Sequence, residues 1–326
     1  ANISSVELSE MPVSTIAGDV QQAWEFVQER KSSRPLIAFE EGSTTEQGRV
    51  LPTTVVRVLL DDKPFIVDSL RQALLRCGVT IKDVRNAVLF SGRRKSGASK
   101  DGLGRFGRLV DLAVSSDDDF SAESFCSIAC ARLGDDELKS VETELRDTLN
   151  HVIAAVGGYK DMTAAAAGLR RNLLTNAEFL PVSEENVAES IEFIGWLVDN
   201  HFTFLGYEKY SIHSKGAESI IQLESDSTLG VSRFKSELKA QTKLSSLPGA
   251  AADFVRRPKL LSFAKSSQRS KVHRPVYYDY VLVKEFDKAG KVTHMHRFLG
   301  LYTSSVYFRE ALAIPLLRKK VSRALE

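Results

Sequence analysis

The chain has 326 residues, 43% of them hydrophobic and 26% charged, a globular composition that excludes a disordered or low-complexity protein. Lys+Arg 44 against Asp+Glu 42 leaves a net charge of +2, too even a balance for a protein that mainly grips nucleic-acid phosphate. No apolar run approaches the ~20 residues of a membrane span, Ala1–Glu10 lacks an apolar leader core, and Cys77, Cys126 and Cys130 lack disulfide-framework spacing. These features predict a soluble protein of a reducing compartment, the cytoplasm, without membrane or nucleic-acid partners.

Residues 19–31 predict a short helix with Val20, Trp24 and Val27 on one face, followed by a polar stretch, Glu40–Gly48. Thr53–Leu60 is β-branched and predicts a buried strand. In the turn that follows, an Asp can cap the next helix and Pro64 suits its first turn. That helix carries Ile66, Leu70, Leu74 and Cys77 on one stripe and stops at Gly78. Val79–Phe90 predicts a strand, residues 93–108 a basic arm at a hairpin tip, and Leu109–Val114 the return strand. Ser124–Leu133 alternates as a strand, and Asp135–Val156 is amphipathic with a Gly157-Gly158 stop. Four strands and two substantial helices predict an α+β sandwich, an antiparallel sheet with helices on one face.

Ala164–Leu174 predicts a helical linker, and Ser183 the cap of a helix striped by Val187, Ile191, Ile194 and Val198. Strands are expected at His201–Ile212 and Ser219–Leu223, short helices over 233–256, then strands at Leu260–Ala264, Val276–Phe286 and His294–Tyr302. Asp287–Gly290 is the hairpin turn between the last two. Two strands, helices and three strands is the order of a PAS-like antiparallel-sheet domain. The predicted division is 1–50 N-terminal helix and linker, 51–160 first sandwich, 161–200 helical linker, and 201–326 second sheet domain. The chain opens on Ala1 and stops at Ala324-Leu325-Glu326 within a helical run, so it reads as a piece of something longer.

Gly102–Gly107 spells GxGxxG, but a dinucleotide site needs that turn between a strand and a helix. Here a basic arm precedes it and a strand follows, so no cofactor site is expected in this chain. Cys126 and Cys130 on a strand lie roughly 13 Å apart, too far to share a metal. His294 and His296 share a strand face without a third ligand evident in sequence, and His201 reads as structural. No catalytic constellation stands out. Arg93, Arg94, Lys95 and Arg105 in the basic arm are candidates for contact with an acidic protein surface. Asp61, Asp62, Pro64 and Phe65 form a turn before a helix N-terminus, where free N–H groups favour an anionic effector; an ordinary packed turn is the alternative.

Longer strings carry more information. VLLDDKPFIVDSLRQALLRCGVTI resembles the strand–turn–helix–strand start of an ACT domain. LVDNHFTFLGYEKYSI, LGVSRF, HRPVYYDYVLVKEFDKAGKV and HRFLGLYTSSVYFREALAIPLLRKKV resemble the N-terminal part of the large bacterial NAD-dependent glutamate dehydrogenases. The resemblance covers most of residues 50–326. It implies a parent enzyme that oxidises L-glutamate to 2-oxoglutarate and ammonium with NAD, whose catalytic and nucleotide-binding domains lie outside this chain. It further implies an ACT-like followed by a PAS-like domain serving regulation and subunit assembly, with the rest of the polypeptide and other subunits of a homo-oligomer as partners. The rival expectation is a free-standing ACT/PAS-like small-molecule sensor. Amino-acid-binding ACT domains typically carry Gly after the Pro of the first turn; here Phe65 stands there, its ring in the space of an amino-acid effector. No strand follows Asp135–Val156, another departure from the common ACT order.

Overall fold

Alternating apolar residues build the first sheet, because successive side chains of a strand point to opposite faces. The computed structural model describes residues 13–46, 49–94, 105–110, 120–215, 218–234 and 240–325. It divides into two compact units, Ala1–Asn150 and His151–Glu326. In the first, α1 (Val13–Glu29), β1 (Leu36–Glu46) and β2 (Arg49–Asp61) precede α2 (Ile66–Arg76), β3 (Ile81–Arg94), β4 (Arg105–Val110) and β5 (Phe120–Ala131). Helix α3 (Asp135–Gly157) runs on into the second unit. The five strands pair antiparallel in the order β1-β2-β5-β3-β4.

On one face Val56, Val58, Leu60, Cys126, Ile128 and Cys130 are all buried. The buried stripes of α2 (Ile66, Leu70, Leu74) and of the first part of α3 (Val141, Leu145, Leu149) belong to the same unit. Arg76 of α2 binds Glu144 of α3 at 2.8 Å and donates to Thr148 at 2.7 Å. Gly78, at φ 74°, closes α2 in the left-handed conformation that costs glycine least.

Three local expectations change. The polar stretch Glu40–Gly48 is, as far as it is described, part of β1, in register from Leu36↔Leu59 to Glu46↔Arg49. One face of an edge strand meets water, so a polar composition is no bar to pairing. The sheet thus has five strands rather than four, and β1 takes the edge beside β2 where a strand following α3 would return. Helix α1 begins earlier than expected and buries Phe26 and Val27 against Leu59, while Val20 and Trp24 stay exposed. Because Leu59 and Phe125 point away from Val58 and Cys126, α1 covers the opposite face, and the sheet carries helix on both sides. The return strand is Arg105–Val110; residues 111–114 lie outside the described part.

The second unit holds α4 (Tyr159–Thr175), α5 (Glu184–Trp196), β6 (Phe202–Lys215), β7 (Glu218–Leu223), β8 (Leu229–Gly230), β9 (Gln241–Lys243), α6 (Gly249–Arg256), β10 (Leu261–Arg269), β11 (Tyr277–Phe286), β12 (Val292–Tyr302) and α7 (Leu317–Leu325). Its antiparallel sheet runs β10-β11-β12-β6-β7-β9, with β8 beside β6. One face packs Phe204, Tyr207, Val281, Val283 and Phe298 against α4 and α5. The other packs Tyr210, Ile212 and Met295 against Ala252, Phe254 and Val255 of α6. Thus α4, read from sequence as a linker, inserts Met162, Ala166, Leu169 and Leu173 into this core. Buried Lys284 donates to the carbonyls of Phe254 (2.7 Å) and Arg257 (2.6 Å), satisfying α6 at its C-terminal end. Asp287 accepts from the Ala289 and Lys291 amides, both at 2.9 Å, and closes the β11–β12 hairpin as expected. Ser183 is the N-cap of α5 by position, although its side chain makes no capping bond. Among the described residues no helix is long and apolar enough to cross a membrane.

Candidate functional site

The turn Asp61–Phe65 joins β2 to α2, and its two carboxylates leave on opposite faces of the sheet. Asp61 faces the α1 side, where Arg30 binds it at 2.8 Å. The same guanidinium binds Glu123 of β5 and donates to the Ser33 carbonyl at 3.2 Å. Glu123 is fully buried and also accepts from Ser91 Oγ at 2.5 Å; Arg30 is 2% exposed. A buried ion pair is tolerated only when both charges are paired and hydrogen-bonded, and this one meets that condition through three chain segments. Asp62 faces the other way, accepts from Ser124 Oγ, and its amide donates to the Ala122 carbonyl at 2.9 Å.

Neither Asp therefore caps α2, contrary to the sequence expectation. The N-cap is Phe65, in left-handed conformation (φ 74°, ψ 1°), without a side-chain capping bond. Its backbone adopts the geometry that suits glycine, yet the position carries a phenyl ring, half-buried rather than in the core. Asp62 and Pro64 are exposed, so the outer side of the turn is accessible. Arg30 is the residue that sequence reasoning missed: its partners lie 31 and 93 positions away, and only the sheet brings them together.

The described residues of the basic arm, 93–94 and 105–108, are strand. Arg93 and Arg94 end β3 opposite Phe106 and Arg105 of β4, the edge strand, after a register shift at Gly92/Arg93. Lys95 lies outside the described residues. Arg105, Phe106 and Gly107 of the GxGxxG string are strand, so its described part opens no helix and does not fit the pyrophosphate of NAD.

Cys126 and Cys130 lie buried on β5 and Cys77 is half-buried; none is in a disulfide. Burial, then the nearby Asp62 charge, pushes the Cys126 thiol up to about 12, and burial pushes Cys130 up to about 11, so both are inert core thiols at neutral pH. His201 stacks on Trp196 at 4.4 Å and its Nδ1 lies 2.9 Å from the Trp196 carbonyl, the structural role expected.

His294 and His296 do share a face of β12. The register adds what sequence did not offer, Glu285 of β11 opposite His294. Glu285 Oε2 lies 3.4 Å from His294 Nδ1 and 3.3 Å from His296 Nε2, and His294 Nε2 lies 3.4 Å from Glu224. Tyr207 bonds His296 Nδ1 at 2.8 Å, and Asn172 donates to Glu285 at 3.1 Å. His296 first, with help from Lys209 and His294, holds the Glu285 carboxyl below the usual carboxylate range against burial. Burial and Lys209 hold His294 below its ordinary value against the pull of Glu285 and Glu224. Among the described residues no group of three such side chains has the geometry of a metal site.

Residues 1–145 match the family model described as glutamate dehydrogenase, ACT1 domain. An NAD-specific glutamate dehydrogenase of Pseudomonas aeruginosa is 34% identical across 99% of this chain and 19% of the relative. One of Halomonas elongata is 30% identical across 98% of this chain and 19% of the relative. The chain thus spans about a fifth of the length of the curated relatives it matches.

Proposed function

We propose that the chain, whose residues 1–145 match the model described as glutamate dehydrogenase, ACT1 domain, is the N-terminal regulatory and assembly segment of an NAD-dependent glutamate dehydrogenase. The observation that carries the reading is similarity over nearly the whole chain to enzymes about five times as long. Oxidation of L-glutamate to 2-oxoglutarate and ammonium, with NAD as acceptor, then belongs to the rest of the parent polypeptide. The second unit is PAS-like in this reading: two long strands, β6 and β7, a stretch with the short β8 and β9 and helix α6, then three strands, the last of which, β12, returns beside the first, β6, support it. The three free cysteines support a cytoplasmic setting.

The Asp61–Phe65 turn serves as an interface turn rather than an amino-acid site. Its acidic side chains and the Phe65 ring work against an approaching carboxylate. The basic edge hairpin, with Arg93, Arg94 and Arg105, supplies a second contact to an acidic surface of another subunit of the homo-oligomer.

The test is removal of residues 1–326 from the parent enzyme, together with assay of the isolated chain. The expected result is no NAD reduction by the chain with glutamate, and a truncated parent with altered subunit assembly or effector response. Glutamate turnover by the chain alone would overturn the reading. So would a truncated parent with unchanged assembly, kinetics and effector response.

A further inference from the structure

A cavity of about 230 Å³ opens on the second unit between α5, β10, the end of β12 and α7. Its walls are apolar, part aromatic and part aliphatic. Phe193 stacks on Trp196 at 5.6 Å and meets Phe263 edge-on at 5.6 Å, while Trp196 lies 6.2 Å from Tyr302. The Trp196 plane is itself fixed by its stack on His201. Phe263 and Leu317 are 42% and 40% exposed, so apolar wall faces solvent rather than closed core. The rim at Leu316 is in left-handed conformation, φ 68°, and is held by its amide's 2.7 Å bond to Glu189. Backbone strain of this kind persists where the surroundings over-determine it, and it concentrates at ligand clamps.

Size and charge narrow the occupant. A dry apolar cavity of ~150 Å³ accepts benzene, so this one, at about 230 Å³, has room for a fused two-ring aromatic system with a short arm. At the mouth the Lys320 ammonium stands 5.9 Å from the Phe263 ring centre. The cations beside it are engaged: Arg318 binds Glu189 and Glu192, and Lys319 binds Glu185 at 2.7 Å. Among the described residues no carboxylate lies within ion-pair distance of Lys320. Four aromatic wall residues and one uncommitted cation form the pattern of a small-molecule site, apolar with a single polar group that sets orientation. We infer that this cavity binds a small aryl carboxylate, its ring among Phe193, Trp196, Phe263 and Tyr302 and its carboxylate on Lys320.

Calorimetric titration of the 326-residue chain with indole-3-acetate and with neutral 3-methylindole tests the inference. Both are expected to saturate one site, the carboxylate about two- to five-fold more tightly, the range an exposed ion pair gives. Lys320→Gln, at an exposed position, should erase that difference and leave 3-methylindole binding unchanged. Val306→Trp, which fills the cavity from its wall, should abolish both at an unchanged melting temperature. Failure of either probe to saturate at millimolar concentration would overturn the inference, as would a carboxylate preference that survives in Lys320→Gln. Concentration-dependent self-association that excludes both probes would assign the cavity to a second copy of the chain and equally overturn it.

Discussion

Arg30 is the most consequential single residue of the first unit. Its guanidinium compensates a fully buried Glu123 and holds Asp61 at the start of the candidate turn. Arg30→Met leaves the Glu123 charge buried without its partner, at a cost of roughly 3–5 kcal/mol. Adding Glu123→Leu should recover most of that loss, because a packed apolar pair needs no compensation. Urea denaturation of the two variants measures both values, and a single variant as stable as wild type would contradict the pairing. Phe65 makes the opposite kind of case. Left-handed backbone costs a residue with a Cβ about 1–2 kcal/mol, while glycine gives back about 0.4–1 kcal/mol through the unfolded chain. Phe65→Gly should therefore be more stable than Phe65→Ala by about 0.5–1 kcal/mol, since both lose the same half-buried ring. Equal melting temperatures would show that the left-handed turn relaxes.

At the scale of elements, close backbone approach fixes β8 on β6. Gly230 (φ 60°, ψ −140°) sits where a Cβ would lie 2.1 Å from the Leu205 carbonyl oxygen. Gly230→Ala should lose on the order of 3 kcal/mol, from strain and the displaced strand together; a loss within experimental error would mean that β8 moves freely. The β11–β12 pair carries the pH response. A His held below its ordinary value of 6.5 takes up its proton more readily in the unfolded chain, so stability falls as pH drops through 6.5 toward the folded value. A depressed Glu285 adds its own loss as pH falls below 4.5. The urea midpoint should decline between about pH 7 and pH 5, and His294→Gln should lessen that decline. An identical slope in wild type and variant would remove His294 from the response. The pairing that joins His294 to Glu285 was illegible in sequence, because strand register depends on the hairpin and its bulge rather than on either residue.

For the whole molecule, the question is whether the chain handles NAD itself. The described part of the GxGxxG string, within the strand Arg105–Val110, opens no helix N-terminus that would hold a pyrophosphate. Titration of the chain with NAD should show no saturable binding in the micromolar range; a micromolar dissociation constant would reverse the division of labour proposed for the parent enzyme.

Local pattern in the sequence determined the buried strand at 53–60, the helix that Gly78 ends, the amphipathic helix from Asp135, the Asp287–Gly290 hairpin and the family resemblance. Each depends on neighbours within a few residues, through periodicity, turn chemistry or a continuous string. Tertiary structure alone decided that polar β1 completes the first sheet, that α1 covers its second face, and that α4 belongs to a core. It also decided that Asp61 and Asp62 are drawn off α2, and that four aromatic side chains from α5, β10 and β12 meet around one cavity. The physical reason is the same throughout: an edge strand, a buried ion pair or a cavity wall is specified by partners tens of residues away, which no local periodicity encodes.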